Sequence, residues 1–453
     1  MSKHQYPAGP KGYPFLGVLP MLRADALGFL ERAAAEFGDF FPLRIFMSNS
    51  YLLNHPAHVE HVLQTNYRNY RKSPMAQKLK PILGNGLFLS EGELWTRQRK
   101  LIAPSFFRQR VDAMSGVMAQ VINEHAAKWS ARAETQEEFS LSEDMSCLTL
   151  EVALRTMFGN SLSESEGEAF SRALVVGNEV GAERIWNLTP ITEIIPTARN
   201  REYKRAVETL DSTVWRIIRE RRAAPETGDD LLGILIGARD AETNEAMSDQ
   251  QLRDEVLSLL LAGHDTTAVM LSWAFHFLAQ HPTCMEKLRD EADTVLAGCD
   301  PTPDHLKKMD YTKRVTQEVA RMRPSLWWFA RVAQEDDVIC GQPIKAGTTV
   351  MISQYLIHHH PSIWEEPKLF NPDRFLPDRV AKRPKFAYLP FSAGPRVCIG
   401  SGFAVMEMQM VLATLLRAFD VTVTSDDEPE LAPIITLRPK DDITARVKPR
   451  LRH

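Results

Sequence analysis

Residues 391 to 400 read F-S-A-G-P-R-V-C-I-G, and this stretch decides how the rest of the chain is read. A solitary cysteine in a chain of 453 residues is ordinarily a small buried hydrophobe. Cys398 differs in its company. Gly394 and Gly400 can adopt backbone conformations closed to other residues and so turn amide groups toward the sulfur, while Arg396 places a cation two residues before it. Such a loop can present a thiolate to a metal and offer a charge-assisted bond to carboxylates carried by the metal's organic ligand. Phe391 can shield the sulfur from water. The apolar, Met-rich run Ser401 to Ala418 reads as a helix that either directs its positive N-terminal end at the thiolate or simply packs a core.

Working outward, the composition is 44% hydrophobic, enough for a large core, and the formal charge of -4 is spread without a basic stripe, so a nucleic-acid partner is not expected. The five cysteines are an odd number, widely spaced and without a C-x-x-C pair, which fits a reducing compartment and a cytoplasmic location. The start, M-S-K-H-Q-Y-P-A-G-P-K-G-Y-P-F-L-G, has neither an apolar signal core nor a run of ~20 apolar residues, so no membrane anchor is expected.

No repeat, low-complexity tract or Gly/Ser linker divides the chain, and a single domain over residues 1–453 is expected. The segment F-F-P-L-R-I-F, then S-N-S, then Y-L-L between Phe40 and Leu53 reads as a strand pair around a polar turn. Residues 111 to 225 carry mainly helical periodicity, and strand-like pieces return at Val332–Ile339, Thr348–Ser353, Val421–Val423, Ile434–Leu437 and Ile443–Val447. The expected class is mainly α with a small β subdomain (α+β): a β-rich edge at about 38–70, 325–385 and 421–450, and a helical core at about 75–320 and 400–418. The longest helix opens at Ser248 with the capping box S-D-Q-Q and stops at His281-Pro282. His264 and Asp265 at its centre argue against a membrane span and for a buried spine. Gly263 there should cost about 1 kcal/mol relative to alanine. Asp265 and Thr266 either serve chemistry or satisfy a local break in the helix through their own hydrogen bonds.

Phe391, Gly394, Arg396, Cys398 and Gly400 occupy every fixed position of Phe-x-x-Gly-x-Arg-x-Cys-x-Gly, and in this the loop resembles the haem-binding signature of the cytochrome P450 family. The resemblance extends over essentially the whole chain. It implies the cytochrome P450 fold, haem b (iron protoporphyrin IX) as cofactor, Cys398 as the metal ligand, and Arg396 as a haem propionate partner. Ala262-Gly263-His264-Asp265-Thr266-Thr267 resembles the family's oxygen-binding groove: Ala262 and Gly263 make room beside the haem, and Asp265 with Thr266 relays the protons that cleavage of the O–O bond requires. His264 is expected to be structural. Glu318, Arg321 and Arg374 resemble the family's Glu-x-x-Arg plus downstream Arg network, a buried structural cluster. Trp95 and Arg99 resemble the element that crosses the haem edge and could otherwise be ordinary amphipathic helix residues; Arg331 lies in a context similar to the strand that supplies another propionate partner.

The same resemblance implies an apolar substrate pocket drawing on Phe88, Leu261, Ala262, Thr266, Trp327, Trp328, Phe329 and Ile435, with strand alternation sending only one of the two tryptophans inward. The expected reaction is insertion of one oxygen atom from O2 into a hydrophobic substrate (hydroxylation or epoxidation of a fatty acid, terpenoid or polyketide-like molecule); the A-G-H-D-T-T form resembles the branch that contains fatty-acid hydroxylases. The chain stops soon after its last strands, so electrons are expected from a ferredoxin or flavodoxin with an NAD(P)H-dependent reductase. Arg379, Lys382, Arg383 and Lys385, with Arg97, Lys100, Arg108 and Arg110, would form the docking face or a merely solvated basic one. A monomer is expected. Two rivals remain: a peroxide-dependent peroxygenase of the same fold, which characteristically carries arginine and proline where this chain has Asp265-Thr266, and a non-catalytic haem-binding sensor or carrier.

Overall fold

The computed structural model describes residues 7–46, 48–159, 162–185, 195–223, 230–239, 244–425 and 428–451. Chain contacts divide it into two compact units, Met1–Pro74 with Gln317–Cys398, and Met75–Thr316 with Ile399–His453.

The first unit holds a five-stranded sheet in the order Phe40–Ile45, Ser48–Leu53, Thr349–Ile352, Phe329–Ala333, Tyr70–Lys72, antiparallel throughout except where Ser48–Leu53 runs parallel to Thr349–Ile352. Alternation dictates the first strand's two faces, with Phe41, Leu43 and Ile45 buried between less buried neighbours. Leu53, Val59, Val62, Tyr70, Val350 and Ile352 join one apolar core. Two expectations need correction. The S-N-S triplet is not the hairpin turn: Ile45 pairs with Ser48 and Arg44 with Asn49, so the turn comes before Ser48, with Phe46 in the left-handed region at φ 54°. The stretch Val332–Ile339 is not one strand either, since Asp337–Ile339 pairs instead with Gln342–Ile344 and the intervening Gln334-Glu335-Asp336 is polar and exposed.

The second unit is helical. Its spine, Asp249–Gln280, begins at the expected capping box: Ser248 Oγ accepts the Gln251 N–H at 3.2 Å and the Gln251 side chain accepts the Ser248 N–H at 3.0 Å. At ~1.5 Å per residue its 32 residues span ~48 Å. Among the described residues it is the one helix long and apolar enough to cross a membrane, and 78% of its apolar window is buried within the protein. Leu141–Phe158 and Ser401–Ala418 pack against it, and Glu164–Ile185 packs on Ala198–Ala223. Helices fill most of the described residues between 111 and 225, as their periodicity predicts, interrupted by the strand Phe139–Ser140; positions 160–161, 186–194 and 224–225 lie outside the described residues. Of the predicted strand Ile434–Leu437, residues 434–436 are instead the turn of a small hairpin, Leu431–Pro433 against Leu437–Pro439. Pro433 has no N–H to continue a ladder, and the Ile434 N–H folds back to the Ala432 carbonyl at 3.0 Å. A second small sheet has Thr444–Pro449 between Phe139–Ser140 and Phe419–Val423.

Candidate active site

In the first unit, the cysteine loop is closed on itself. The Cys398 N–H donates to the Phe391 carbonyl at 2.9 Å and the Val397 N–H to the Gly394 carbonyl at 3.0 Å, which leaves Cys398 itself exposed. Gly394 sits at φ 70°, and a Cβ there would stand 1.9 Å from the Leu63 carbonyl oxygen, so only glycine fits. Arg396 donates through Nη1 to the Tyr70 carbonyl at 2.8 Å. Tyr70 is fixed in turn: its hydroxyl donates to Asp337 at 2.7 Å, where His61 at 2.8 Å and Asn66 at 3.1 Å converge. Burial works to raise the Asp337 carboxyl, but the bonds from Tyr70, His61, the Val338 N–H and Asn66 outweigh it and hold the group down at about 2.

The Glu318, Arg321 and Arg374 cluster lies in the same unit. Arg321 donates to both Glu318 oxygens, at 2.7 and 2.9 Å, with both side chains fully buried. Arg374 reaches Glu318 at 3.3 Å, and the two guanidiniums donate onward to the carbonyls of His358, Glu365, Glu366, Pro367 and Leu369. A buried ion pair thereby orders a largely irregular segment, 358–374, in which turns and one short 3-10 helix satisfy only some of the carbonyls. His358 extends the network: its Nε2 accepts the Leu389 N–H at 2.8 Å, and burial pushes its value down to about 3. Arg331 is buried and stacks its guanidinium 4.8 Å from the Phe329 ring. Arg383, expected on an exposed basic face, instead packs over Trp364 at 3.9 Å and donates to the Arg374 carbonyl at 2.6 Å; burial lowers it to about 10. Of the two tryptophans, Trp327 is 1% exposed and Trp328 half-buried, and both precede the strand, so strand alternation is not what separates them. Trp327 is a core residue whose carbonyl takes the Ser353 hydroxyl at 3.0 Å; Phe329 is half-buried.

In the second unit, the spine is buried almost continuously from Leu252 to Leu278, and its surface opens at Leu261, Ala262, Gly263 and Thr266. Ala262 and Thr266 are four residues apart and share a face. Thr266 Oγ1 donates to the Ala262 carbonyl at 2.7 Å, and Thr267 Oγ1 to that of Gly263 at 2.9 Å. His264 is buried, with Nε2 2.8 Å from the Ser146 hydroxyl, and burial holds it below its ordinary value. Asp265 is 8% exposed and turns to the C-terminal hairpin, where Arg438 meets Oδ1 at 2.5 Å and Thr436 meets Oδ2 at 3.1 Å.

Upstream on the same spine, Asp254 and Glu255 accept the Asn85 and Leu87 N–H groups at 2.7 and 2.9 Å, and Gln98 donates to the Asn85 carbonyl at 2.8 Å. Gly84, at φ 56°, permits that approach, and the clamped segment leads into the helix Gly92–Ile102, on which Trp95 and Arg99 are half-buried. Phe88 is 38% exposed and Ile435 half-buried. Gly400 has φ -90° and the atom nearest a Cβ built on it is Phe106 Cε1 at 3.8 Å, so no backbone strain demands glycine there.

Sequence reasoning missed Arg438, Thr436 and the buried acids Glu255 and Glu407. No spacing links T-L-R-P at 436–439 to a helix more than 150 residues earlier. Glu407, on the helix after the cysteine, is fully buried, and burial raises its carboxyl well above the ordinary value.

A family model described as cytochrome P450 matches residues 7–444. Cyclooctatin synthase of Streptomyces melanosporofaciens is 33% identical over 414 residues, covering 91% of this chain and 89% of that one. Cyclooctat-9-en-7-ol 5-monooxygenase of the same organism is 33% identical over 406 residues, covering 90% and 87%. Pentalenene oxygenase of Streptomyces avermitilis is 31% identical over 430 residues, covering 94% of each. Since the match runs through both the cysteine loop and the acid-bearing spine, the chain belongs to the cytochrome P450 family and is a haem-dependent monooxygenase that draws on a redox partner and acts on a hydrophobic substrate.

Proposed function

We propose that this monooxygenase hydroxylates or epoxidises a terpenoid, with haem b held through Cys398 as the iron ligand and with electrons delivered by a separate ferredoxin or flavodoxin. The observation that carries the reading is the opening of an otherwise buried spine at Ala262, Gly263 and Thr266, beside a buried carboxylate at Asp265. A helix that existed only for packing would bury that face. The donor set of the first unit suits a haem: an accessible thiol on a loop closed by its own backbone, and cations at Arg331 and Arg396 for the propionates. Haem, when bound, supplies reductive activation of dioxygen. What the chain's own groups do is hold and move protons. Thr266 Oγ1 passes a proton once it leaves the Ala262 carbonyl, and Asp265 replaces it. The Asp265-Thr266 pair also favours dioxygen over peroxide as oxidant, because a peroxide delivers its own protons.

The terpenoid assignment rests on the relatives, two of which are named for oxidising cyclooctat-9-en-7-ol and pentalenene, both polycyclic terpenoid skeletons. Leu261, Phe88 and Ile435 of the second unit are apolar positions with accessible surface that suit such a body. Arg379, Lys382 and Lys385 are exposed cations within a short stretch of the first unit and favour an acidic electron donor. The absence of a disulfide among the five cysteines of the described residues fits a cytoplasmic location, and a monomer is the simplest state.

Reduced, carbon-monoxide-treated enzyme should give the red-shifted Soret band of thiolate ligation, and Cys398→Ser should abolish it. Titration with polycyclic terpenes and terpene alcohols should drive the high-spin shift at lower concentration than fatty acids of similar size. A fatty acid binding more tightly than every terpenoid tried would remove the substrate assignment while leaving the enzyme class intact.

A further inference from the structure

Building on the proton-relay reading of Asp265, we propose that Arg438 and Thr436 are positioning residues for it: together they hold the acid as an oriented carboxylate at a partly accessible position on the spine. Both oxygens of Asp265 are taken by the hairpin, Oδ1 by the Arg438 guanidinium at 2.5 Å and Oδ2 by the Thr436 hydroxyl at 3.1 Å. Arg438 also donates to that hydroxyl, through Nε at 3.4 Å and Nη2 at 3.3 Å, so its oxygen accepts from the guanidinium and its hydrogen is directed to the acid. With a permanent cation on one oxygen and a hydroxyl donor on the other, the group rests as a carboxylate.

That arrangement has a consequence for proton supply. A carboxylate gives up a proton only after taking one, and Arg438 cannot give its own at neutral pH. The proton therefore comes from water, and it enters where the pair is accessible: the Arg438 side chain is 21% exposed and that of Asp265 is 11% exposed. Each proton that Asp265 Oδ passes toward Thr266 is replaced from this side, leaving the carboxylate paired as before. His264 is no substitute, because it is buried and engaged with the Ser146 hydroxyl. The hairpin is also tied to the same spine at a second point, where the Trp273 indole N–H donates to the Leu437 carbonyl at 3.0 Å. Trp273 lies about two helical turns from Asp265. The guanidinium is thus delivered to the acid by a strand that is itself anchored to the helix carrying the acid.

The test compares Arg438→Gln, Arg438→Lys, Thr436→Val, Asp265→Asn and the Arg438→Gln/Asp265→Asn double variant as purified holoenzymes. Product formed per NAD(P)H consumed should fall about tenfold in Arg438→Gln, with a larger solvent deuterium isotope effect and a substrate Kd, read from the spin shift, within about twofold of the parent. Arg438→Lys should recover part of the loss, Thr436→Val should show a smaller loss of the same kind, and the double variant should be no worse than Asp265→Asn alone. Independently of turnover, urea denaturation of the four corners of the 265–438 cycle should give a non-additive coupling. Unchanged coupling efficiency and isotope effect in Arg438→Gln, alongside an impaired Asp265→Asn, would overturn the positioning role and leave the relay standing. An Asp265→Asn enzyme with parental efficiency would overturn both.

Discussion

The signature treats Gly394 and Gly400 alike, and the structure separates them. In Gly394→Ala the new Cβ would lie 1.9 Å from the Leu63 carbonyl oxygen, whereas carbon and oxygen in contact keep about 3.3 Å. Loop or helix must therefore move by about 1.4 Å. The residue must also keep φ near 70°, which costs an L-residue roughly 1–2 kcal/mol. Adding about 1–3 kcal/mol for overpacking gives a loss of about 2–5 kcal/mol. The displacement matters as much as the energy, since the cysteine is four residues on and the loop is closed by the Cys398 N–H bond to Phe391. Gly400→Ala faces neither penalty, with φ -90° and a nearest contact at 3.8 Å. The assay is urea denaturation of both variants beside the carbon-monoxide difference spectrum. Gly394→Ala should lower the denaturation midpoint and lose much of the thiolate band, while Gly400→Ala should keep a near-parental midpoint. Equal midpoints for the two variants would refute the reasoning.

Three further outcomes follow from buried charge. Glu318→Gln leaves two guanidiniums facing a neutral group in a fully buried site, so it should lose about 3–5 kcal/mol in equilibrium unfolding; a loss under 1 kcal/mol would contradict the cluster's role in holding 358–374. Asp337 has a native value lowered to about 2, so its contribution is complete above the unfolded carboxylate value and disappears as the pH falls toward 2, amounting to about 2 kcal/mol. Asp337→Asn should accordingly flatten the acid limb of stability between pH 5 and pH 2, read from midpoints at each pH. Glu407 has the opposite sign: its native value is raised, so it favours the folded state below the unfolded value and loses that contribution as the pH rises through the native value. Glu407→Gln should therefore gain stability relative to the parent as the pH rises from 5 to 8; a constant difference across that range would show that folding does not raise the carboxyl.

Much of the fold was legible because its signals are local. The capping box at Ser248, the proline stop after His281 and the alternation of Phe41, Leu43 and Ile45 each depend on residues within a few positions of one another. The cysteine loop was legible for the same reason. Local signals failed where two of them competed: S-N-S looked like a turn because it is polar, but cross-strand pairing against Arg44 and Ile45 drew it into the second strand. Arg383 read as one more surface cation, and only the approach of Trp364 and Phe375 made it a packing residue.

By itself, then, the sequence determined which residues carry the chemistry: a cysteine framed by glycine and arginine, and an acid-alcohol pair inside an apolar helix. Tertiary structure alone decided the surroundings in which those residues act. That Gly394 meets the Leu63 carbonyl, and that Asp265 meets an arginine 173 positions away, follows from which elements lie side by side. Helix and turn preferences are short-range properties of the backbone, whereas ion pairing and close packing depend on distances that only the folded chain defines.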